Sequence, residues 1–219
     1  MFKRTITSLC LSVVFVVCFF TLVSNVVAAT TPIFINEIHY DNAGIDTGEA
    51  IEIFGPAGSN LSDWELYLYN GNGGAPYGTI PLSGTISNQQ NGFGTLSFSF
   101  AGIQNGPVDG IALVYNELPD TFVEQFLSYG GIFSANDGPA NGMSSVDIGV
   151  SEDYNTLVGS SLQLTGSGFY YEDFTWSGPI ANTFGDLNTG QSAVPIPGAI
   201  WLLGSGLIGI VGIRRKFKK

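Results

Sequence analysis

Residues 64–69 read Trp-Glu-Leu-Tyr-Leu-Tyr, and this stretch decides the fold class. Trp64, Leu66 and Leu68 alternate with Glu65, Tyr67 and Tyr69, a period of two that suits a strand and not a helix. The alternation sends Trp64 to the core face and Tyr67 and Tyr69 to the opposite face. Leu96, Phe98 and Phe100 alternate with Ser97 and Ser99 in the same way. Outward from these two stretches, strands are predicted at 33–40, 49–54, 77–82, 110–115, 122–129, 161–164 and 169–176. The segments YNGNGGAPYG (69–78), NQQNGFG (88–94), QNGPVDG (104–110) and NDGPANG (136–142) separate them, and their Asn-Gly and Asp-Gly steps reach positive φ at little cost. Many short strands with no helical pattern between them predict an all-β fold, an antiparallel β-sandwich over residues 30–191, with no internal repeat or boundary.

Charge is as segregated as hydrophobicity. All 18 acidic residues fall between Glu37 and Asp186, where Lys and Arg are absent, so this body carries a formal charge of −18. Such a field repels phosphate backbones, so no nucleic-acid partner is expected. It favours solubility and a weak attraction for divalent cations.

The seven basic residues sit only in 3–4 and 214–219. Residues 1–29 have a basic start, a long apolar centre and the small exit Val27-Ala28-Ala29, the layout of a secretory signal peptide, with an uncleaved anchor as the alternative. Both cysteines, Cys10 and Cys18, lie in that segment, so cleavage leaves no thiol chemistry. Residues 198–213 are apolar and uncharged and end at the basic tail 214–219. A helix there would be ~24 Å long, a little short of the ~30 Å hydrocarbon core, and could span it by thinning the bilayer. The basic end prefers the cytoplasmic side, which puts the body outside. A buried core helix is the competing reading, but it gives no reason for the terminal basic cluster.

The residues of the tail carry a specific likeness. Val194-Pro195-Ile196-Pro197, then Trp201-Leu202-Leu203-Gly204-Ser205-Gly206-Leu207, then Arg214-Arg215-Lys216, resembles the PEP-CTERM sorting signal of Gram-negative bacteria, with Ile196 at the variable place between the prolines. The resemblance covers 192–219. It implies recognition by an exosortase, export across the inner membrane, and a protein that is membrane-anchored, at the cell surface or extracellular. A second likeness lies in the body: Ile35-Asn36-Glu37-Ile38, Glu49-Ala50-Ile51-Glu52-Ile53 and Leu61-Ser62-Asp63-Trp64-Glu65-Leu66. These stretches resemble the lamin-tail domain found at the start of some secreted bacterial nucleases, whose chemistry lies in a separate downstream domain. Ala50 departs from the aromatic that many members place there. This resemblance implies an immunoglobulin-like sandwich in which Glu37, Glu49 and Glu52 hydrogen-bond backbone groups at strand ends.

Catalytic chemistry has little to work with. One histidine, His39, stands on a predicted strand and reads as a strand-surface or cap residue. No Gly-x-Ser-x-Gly elbow occurs, and one imidazole without Cys cannot build a structural zinc site. Paired carboxylates suffice for some hydrolases, but 18 acids form chance pairs easily. Calcium is the better chemical expectation: DNAGIDTGE (41–49) offers Asp41, Asn42, Asp46 and Glu49, and VSEDYN (150–155) offers Glu152 and Asp153. The competing reading is a turn rich in Asx hydrogen bonds. Carbohydrate contact near the 70–77 loop, flanked by Trp64, Tyr67, Tyr69 and Tyr77, is a further candidate. The sequence therefore points to an exported structural or adhesive protein without catalysis, bound to an extracellular protein or polysaccharide. A small metal-dependent hydrolase, or an accessory module that recruits a secreted enzyme, is the rival expectation.

Overall fold

The computed structural model describes residues 32–117 and 119–194. The expected signal peptide 1–29, the helix 198–213 and the sorting residues Pro195, Pro197, Trp201, Gly204, Ser205, Gly206, Arg214, Arg215 and Lys216 lie outside the described residues. Among the described residues no helix is long and apolar enough to cross a membrane.

Among the described residues eleven strands form two sheets. In chain order they are β1 (Phe34–His39), β2 (Ala50–Pro56), β3 (Trp64–Asn70), β4 (Ala75–Pro81), β5 (Phe93–Ser99), β6 (Asp109–Glu117), β7 (Asp120–Tyr129), β8 (Val146–Asp147), β9 (Ser160–Gly168), β10 (Phe174–Ala181) and β11 (Gln191–Ala193). The larger sheet runs β10-β9-β1-β2-β5, with β11 also against β9; the other runs β4-β3-β6-β7-β8. The long pairings are antiparallel, but β11 on β9 and β8 on β7 are parallel, which an all-antiparallel sandwich does not include.

One core fills the space between the sheets. Ile35, Ile38, Ile51, Ile53, Leu162 and Leu164 of the larger sheet pack with Leu66, Leu68, Ile111, Leu113 and Leu127 of the smaller, all buried. Trp64 joins them, only 3% exposed, as its alternation with Glu65 predicts. Tyr40 and Tyr129 stack across the interior with ring centroids 3.9 Å apart. The outer face of the smaller sheet is also apolar: Tyr69, Ala112, Val114 and Phe126 lie beneath Ala135 and Ala140 of the 130–145 loop. Tyr69 thus faces away from Trp64 yet is fully buried. Its hydroxyl donates to the Asp137 carbonyl (3.1 Å) and accepts from the Ala140 N–H (3.0 Å). Tyr69→Phe orphans that N–H and is expected to cost about 1–2 kcal/mol in chemical denaturation. A loss below a few tenths would mean the loop is not held by this bond.

Local chemistry explains the strand boundaries. Asn91 (φ 54°) and Gly92 (φ 88°) both sit in the left-handed region between bridged Gln90 and Phe93, a two-residue turn of the kind Asn-Gly predicts. The strand predicted at 169–176 begins instead at Phe174. The Asp173 carboxylate accepts the N–H groups of Phe169 and Tyr170, both at 3.0 Å, and coils the preceding residues into a 3-10 turn (Tyr171–Asp173). In β1 the register slips between Ile35 and Glu37, so Asn36 is the extra residue of a bulge. The bulge turns the Ile35 N–H out of the ladder to Gln125 Oε1 of the opposite sheet (2.7 Å).

Candidate functional site

Three polar centres are built on this scaffold, and the first grows from the bulge. Glu37 of β1 stands opposite Glu52 of β2, and Gln163 of β9 stands opposite Glu37, so the three share one face of the larger sheet. Residues 182–191 close over them. Glu37 Oε1 accepts the Thr183 N–H (2.8 Å) and Ser161 Oγ (2.5 Å), and Glu52 Oε2 accepts the Gly185 N–H (2.6 Å). Asn36, re-aimed by the bulge, donates to Glu52 Oε1 (2.9 Å) and accepts from Gln191 Nε2 (2.6 Å). Asn36, Glu37, Glu52 and Gln163 have no exposed surface. Burial raises the pKa of both carboxyls against the pull of these donors, that of Glu52 to about 8, and the charge of Glu37 adds to the rise at Glu52.

The hydrogen bonds say where a proton can sit. Asn188 Nδ2 donates to the carbonyls of Asn36 (3.0 Å) and Leu164 (2.9 Å), so its Oδ1 is the atom facing Thr183 Oγ1 (3.0 Å). Thr183 Oγ1 carries one hydrogen but also lies 2.9 Å from Glu37 Oε2. A proton on Glu37 Oε2 satisfies both contacts: Glu37 donates to Thr183, and Thr183 donates to Asn188. Geometry thus favours the proton on Glu37, whereas the larger shift is at Glu52. Two carboxyls facing each other on paired strands titrate as a pair, and their burial favours a proton held between them.

The second centre corrects the reading of His39 as a surface or cap residue: it is 1% exposed. Its Nδ1 lies 2.8 Å from Glu152 Oε1, while Nε2 faces two acceptors, the Thr47 carbonyl (3.1 Å) and Asn42 Oδ1 (3.3 Å). The Asn42 amide is oriented by donation from Nδ2 to the carbonyls of Ala43 and Ile45. Only an imidazole with protons on both nitrogens satisfies this environment. Burial works against that charge, but the hydrogen bond and charge of Glu152, with Thr47 and Asn42, outweigh it and raise the pKa of His39. Glu152 Oε2 also accepts the N–H groups of Tyr40 (2.6 Å) and Asp41 (3.1 Å). The residue read as a cation ligand is therefore the anchor that ties the 151–156 loop to the end of β1.

The calcium set is not gathered in one place. Asn42 Oδ1 accepts the Thr47 N–H (3.0 Å) and Asp46 Oδ1 accepts the Asn42 N–H (3.2 Å), the Asx pattern of a tight loop. Glu49 points elsewhere, its Oε2 taking the Gly102 N–H (2.8 Å). Asp41 lies near Asp46, and burial followed by that neighbour raises its pKa. Among the described residues no group of three or more His, Cys, Asp or Glu side chains is placed to hold a metal ion. Leu61 and Trp64 are core residues, and Val194, the last described residue, donates its N–H to the Gly168 carbonyl (2.9 Å).

The third centre is a cleft of about 620 Å³ between residues 70–72 and 104–109. Asp109, 2% exposed, clips its walls together: Oδ1 accepts the Gly71 N–H (3.0 Å) and Oδ2 the Gly106 N–H (2.8 Å). Gly71 has to be glycine, because a Cβ there would stand 2.1 Å from the Val108 carbonyl oxygen. Gln104 is fixed by Tyr77, whose hydroxyl accepts its N–H (2.8 Å), by Tyr129, which donates to its carbonyl (2.7 Å), and by Asn70 Nδ2 on its Oε1 (2.6 Å). The lining combines the carboxamides of Asn70, Asn72, Gln104 and Asn105 with Pro107, Val108 and glycine backbone, and its one carboxylate has both oxygens occupied. Sequence reading found the loop, but of its flanking tyrosines Tyr69 is covered by the 130–145 loop, the Tyr77 hydroxyl is taken up by Gln104, and Tyr67 stays half-buried with its hydroxyl donating to Glu65. Asp109, Gln104 and Asn188 escape sequence reading, and Glu152 reads only as a cation ligand, because each has a partner distant in sequence. Neither a family model, nor a curated protein, nor a solved structure matches this chain.

Proposed function

We propose that this chain is an exported, non-catalytic binding module: an immunoglobulin-like sandwich of lamin-tail type that an exosortase sorts to the cell surface or matrix, where it holds a neutral polysaccharide. The observation that carries the reading is the cleft at 70–72 and 104–109, with four carboxamide side chains in its lining. Carboxamides donate and accept at once, which suits the hydroxyls of a sugar. The surrounding body, at a formal charge of −18, disfavours anionic polymers. The cleft is lined by residues 70–72 and 104–109, whose carboxamides support binding over cleavage. The basic ends at 3–4 and 214–219 support export and membrane tethering of the anionic body.

Titration of the full chain with dextran, laminarin and mannan, with alginate as the anionic control, tests this. Saturable binding to at least one neutral polymer and none to alginate is expected. Asn72→Ala and Gln104→Ala should each weaken that binding by roughly three- to ten-fold through loss of one hydrogen-bonding group. Asn72 is exposed, so Asn72→Ala should leave stability within about 0.5 kcal/mol. Failure of every neutral polymer to bind, or binding indifferent to both substitutions, overturns the proposal.

A further inference from the structure

The segment 182–191 covers a face that a folded sandwich has no need to make ionisable. Beneath it lie two carboxyls, Glu37 and Glu52, directly opposite each other on β1 and β2. Four of the segment's bonds bear on them: the Thr183 N–H and hydroxyl at Glu37, the Gly185 N–H at Glu52, and Gln191 through Asn36 at Glu52, while Asn188 donates to the carbonyls of Asn36 and Leu164 and the ends of the segment bond the backbone at Gly159 and Gly166. The remaining neighbours are neutral. They are Ser161 and Gln163 of β9, Asn188 of the segment, and Thr95 and Ser97 of β5, the latter opposite Glu52. His39, two residues along β1, is turned to Glu152 and Thr47, and Asp186 of the segment is exposed. Neither Lys nor Arg occurs between Arg4 and Arg214 to neutralise a second negative charge.

We propose that residues 182–191 form a pH-sensitive lid, closed while the Glu37–Glu52 pair shares a proton and lifted when both carboxyls ionise. The proton on Glu37 Oε2 completes the chain through Thr183 to Asn188; its loss leaves the Thr183 hydroxyl with two acceptors and one hydrogen. It also leaves two negative charges facing each other out of water, a state that hydration beneath an open lid relieves. Both carboxyls titrate above their ordinary range, so closure is complete below about pH 4.5 and weakens as pH rises through the folded values, about 8 for Glu52. The lid joins β10 to β11, the last strand before Pro195. Once it lifts, the C-terminal end of the sandwich is held by the pairing of Ser192 and Ala193 with β9, by the Ala193 N–H on Gln90 Oε1 and by Asn91 Nδ2 on the Ala193 carbonyl. This device is independent of the polysaccharide reading.

Hydrogen exchange of the full chain at pH 5.5 and pH 8.5, corrected for intrinsic rates, tests it. Peptides spanning 182–191 should lose at least roughly ten-fold in protection at the higher pH. Peptides in β3 and β6, where Leu66 pairs with Leu113, should not. In Glu52→Gln, which carries one fewer ionisable group, lid protection should be equal at the two pH values; Glu37→Gln serves the same purpose if the first variant does not fold. Equal protection of the wild-type lid at both pH values overturns the proposal. So does loss of β3 and β6 protection in step with the lid, or a lid that still loosens at pH 8.5 in the folded variant.

Discussion

Replacing Glu152 with alanine is expected to destabilise the sandwich by about 3–5 kcal/mol, the cost of breaking a buried ion pair from one side. Three donors converge on this carboxylate: His39 Nδ1 and the N–H groups of Tyr40 and Asp41. All lose their acceptor in a region where the donors are buried. Across a domain of this size the loss corresponds to a fall of about 10 °C or more in Tm. Glu152→Gln keeps one acceptor oxygen and should cost about half as much. The penalty also depends on pH in a direction fixed by His39. Its pKa is raised on folding, so the contribution of the pair is fully present below the ordinary histidine value of about 6.5 and is lost as pH rises through the folded value. The gap between wild type and Glu152→Ala should therefore be wider at pH 6 than at pH 9, without closing, because the Tyr40 and Asp41 N–H groups are orphaned at both. A Tm shift of a degree or two at pH 6 would show that the loop is held by something else.

That anchor also shows which kind of information the sequence carries. Alternation in 64–69 placed Trp64, Leu66 and Leu68 in the core and turned Tyr69 the other way, and the structure agrees because side-chain direction in a strand is a local property. The burial of Tyr69 is not local. It depends on a loop some 65 residues downstream whose own composition reads only as turn. His39 was misread for the same reason: its partner is Glu152, and no periodicity links residues so far apart. β8 and β11 escaped notice because two or three residues cannot display a period. In the polar network, Asn36 and Glu37 stand out in sequence as polar residues in an apolar run. Their function as half of a covered carboxyl site becomes visible only when the bulge and the 182–191 segment meet.

Wild-type stability should be greatest near pH 5 and fall as the pH approaches 8, the reverse of the usual behaviour of carboxylates that gain cationic partners. The sign follows from the absence of such partners: Glu37 and Glu52 have raised folded-state pKa values, so the stability they contribute is complete below about 4.5 and is lost on the way to the folded values. Glu52 alone, moved from 4.5 to about 8, contributes at most roughly 5 kcal/mol to that loss. The lid limits the loss, because once lifting residues 182–191 is easier than keeping two charges buried, further ionisation no longer weakens the rest of the fold. The drop should therefore level off, and its depth measures the free energy of lid closure. General repulsion among the 18 acids pushes in the same direction, but salt separates the two causes. Surface repulsion is largely screened at about 0.5 M NaCl, whereas charges enclosed beneath the lid are not. Urea unfolding of wild type and Glu52→Gln at pH 5, 6.5 and 8 in high salt isolates the buried pair. The variant should be flatter with pH and should be the more stable of the two at pH 8, although it is less acidic by only one group. If the two proteins instead show parallel pH profiles in high salt, the carboxyl pair does not govern the stability of this sandwich.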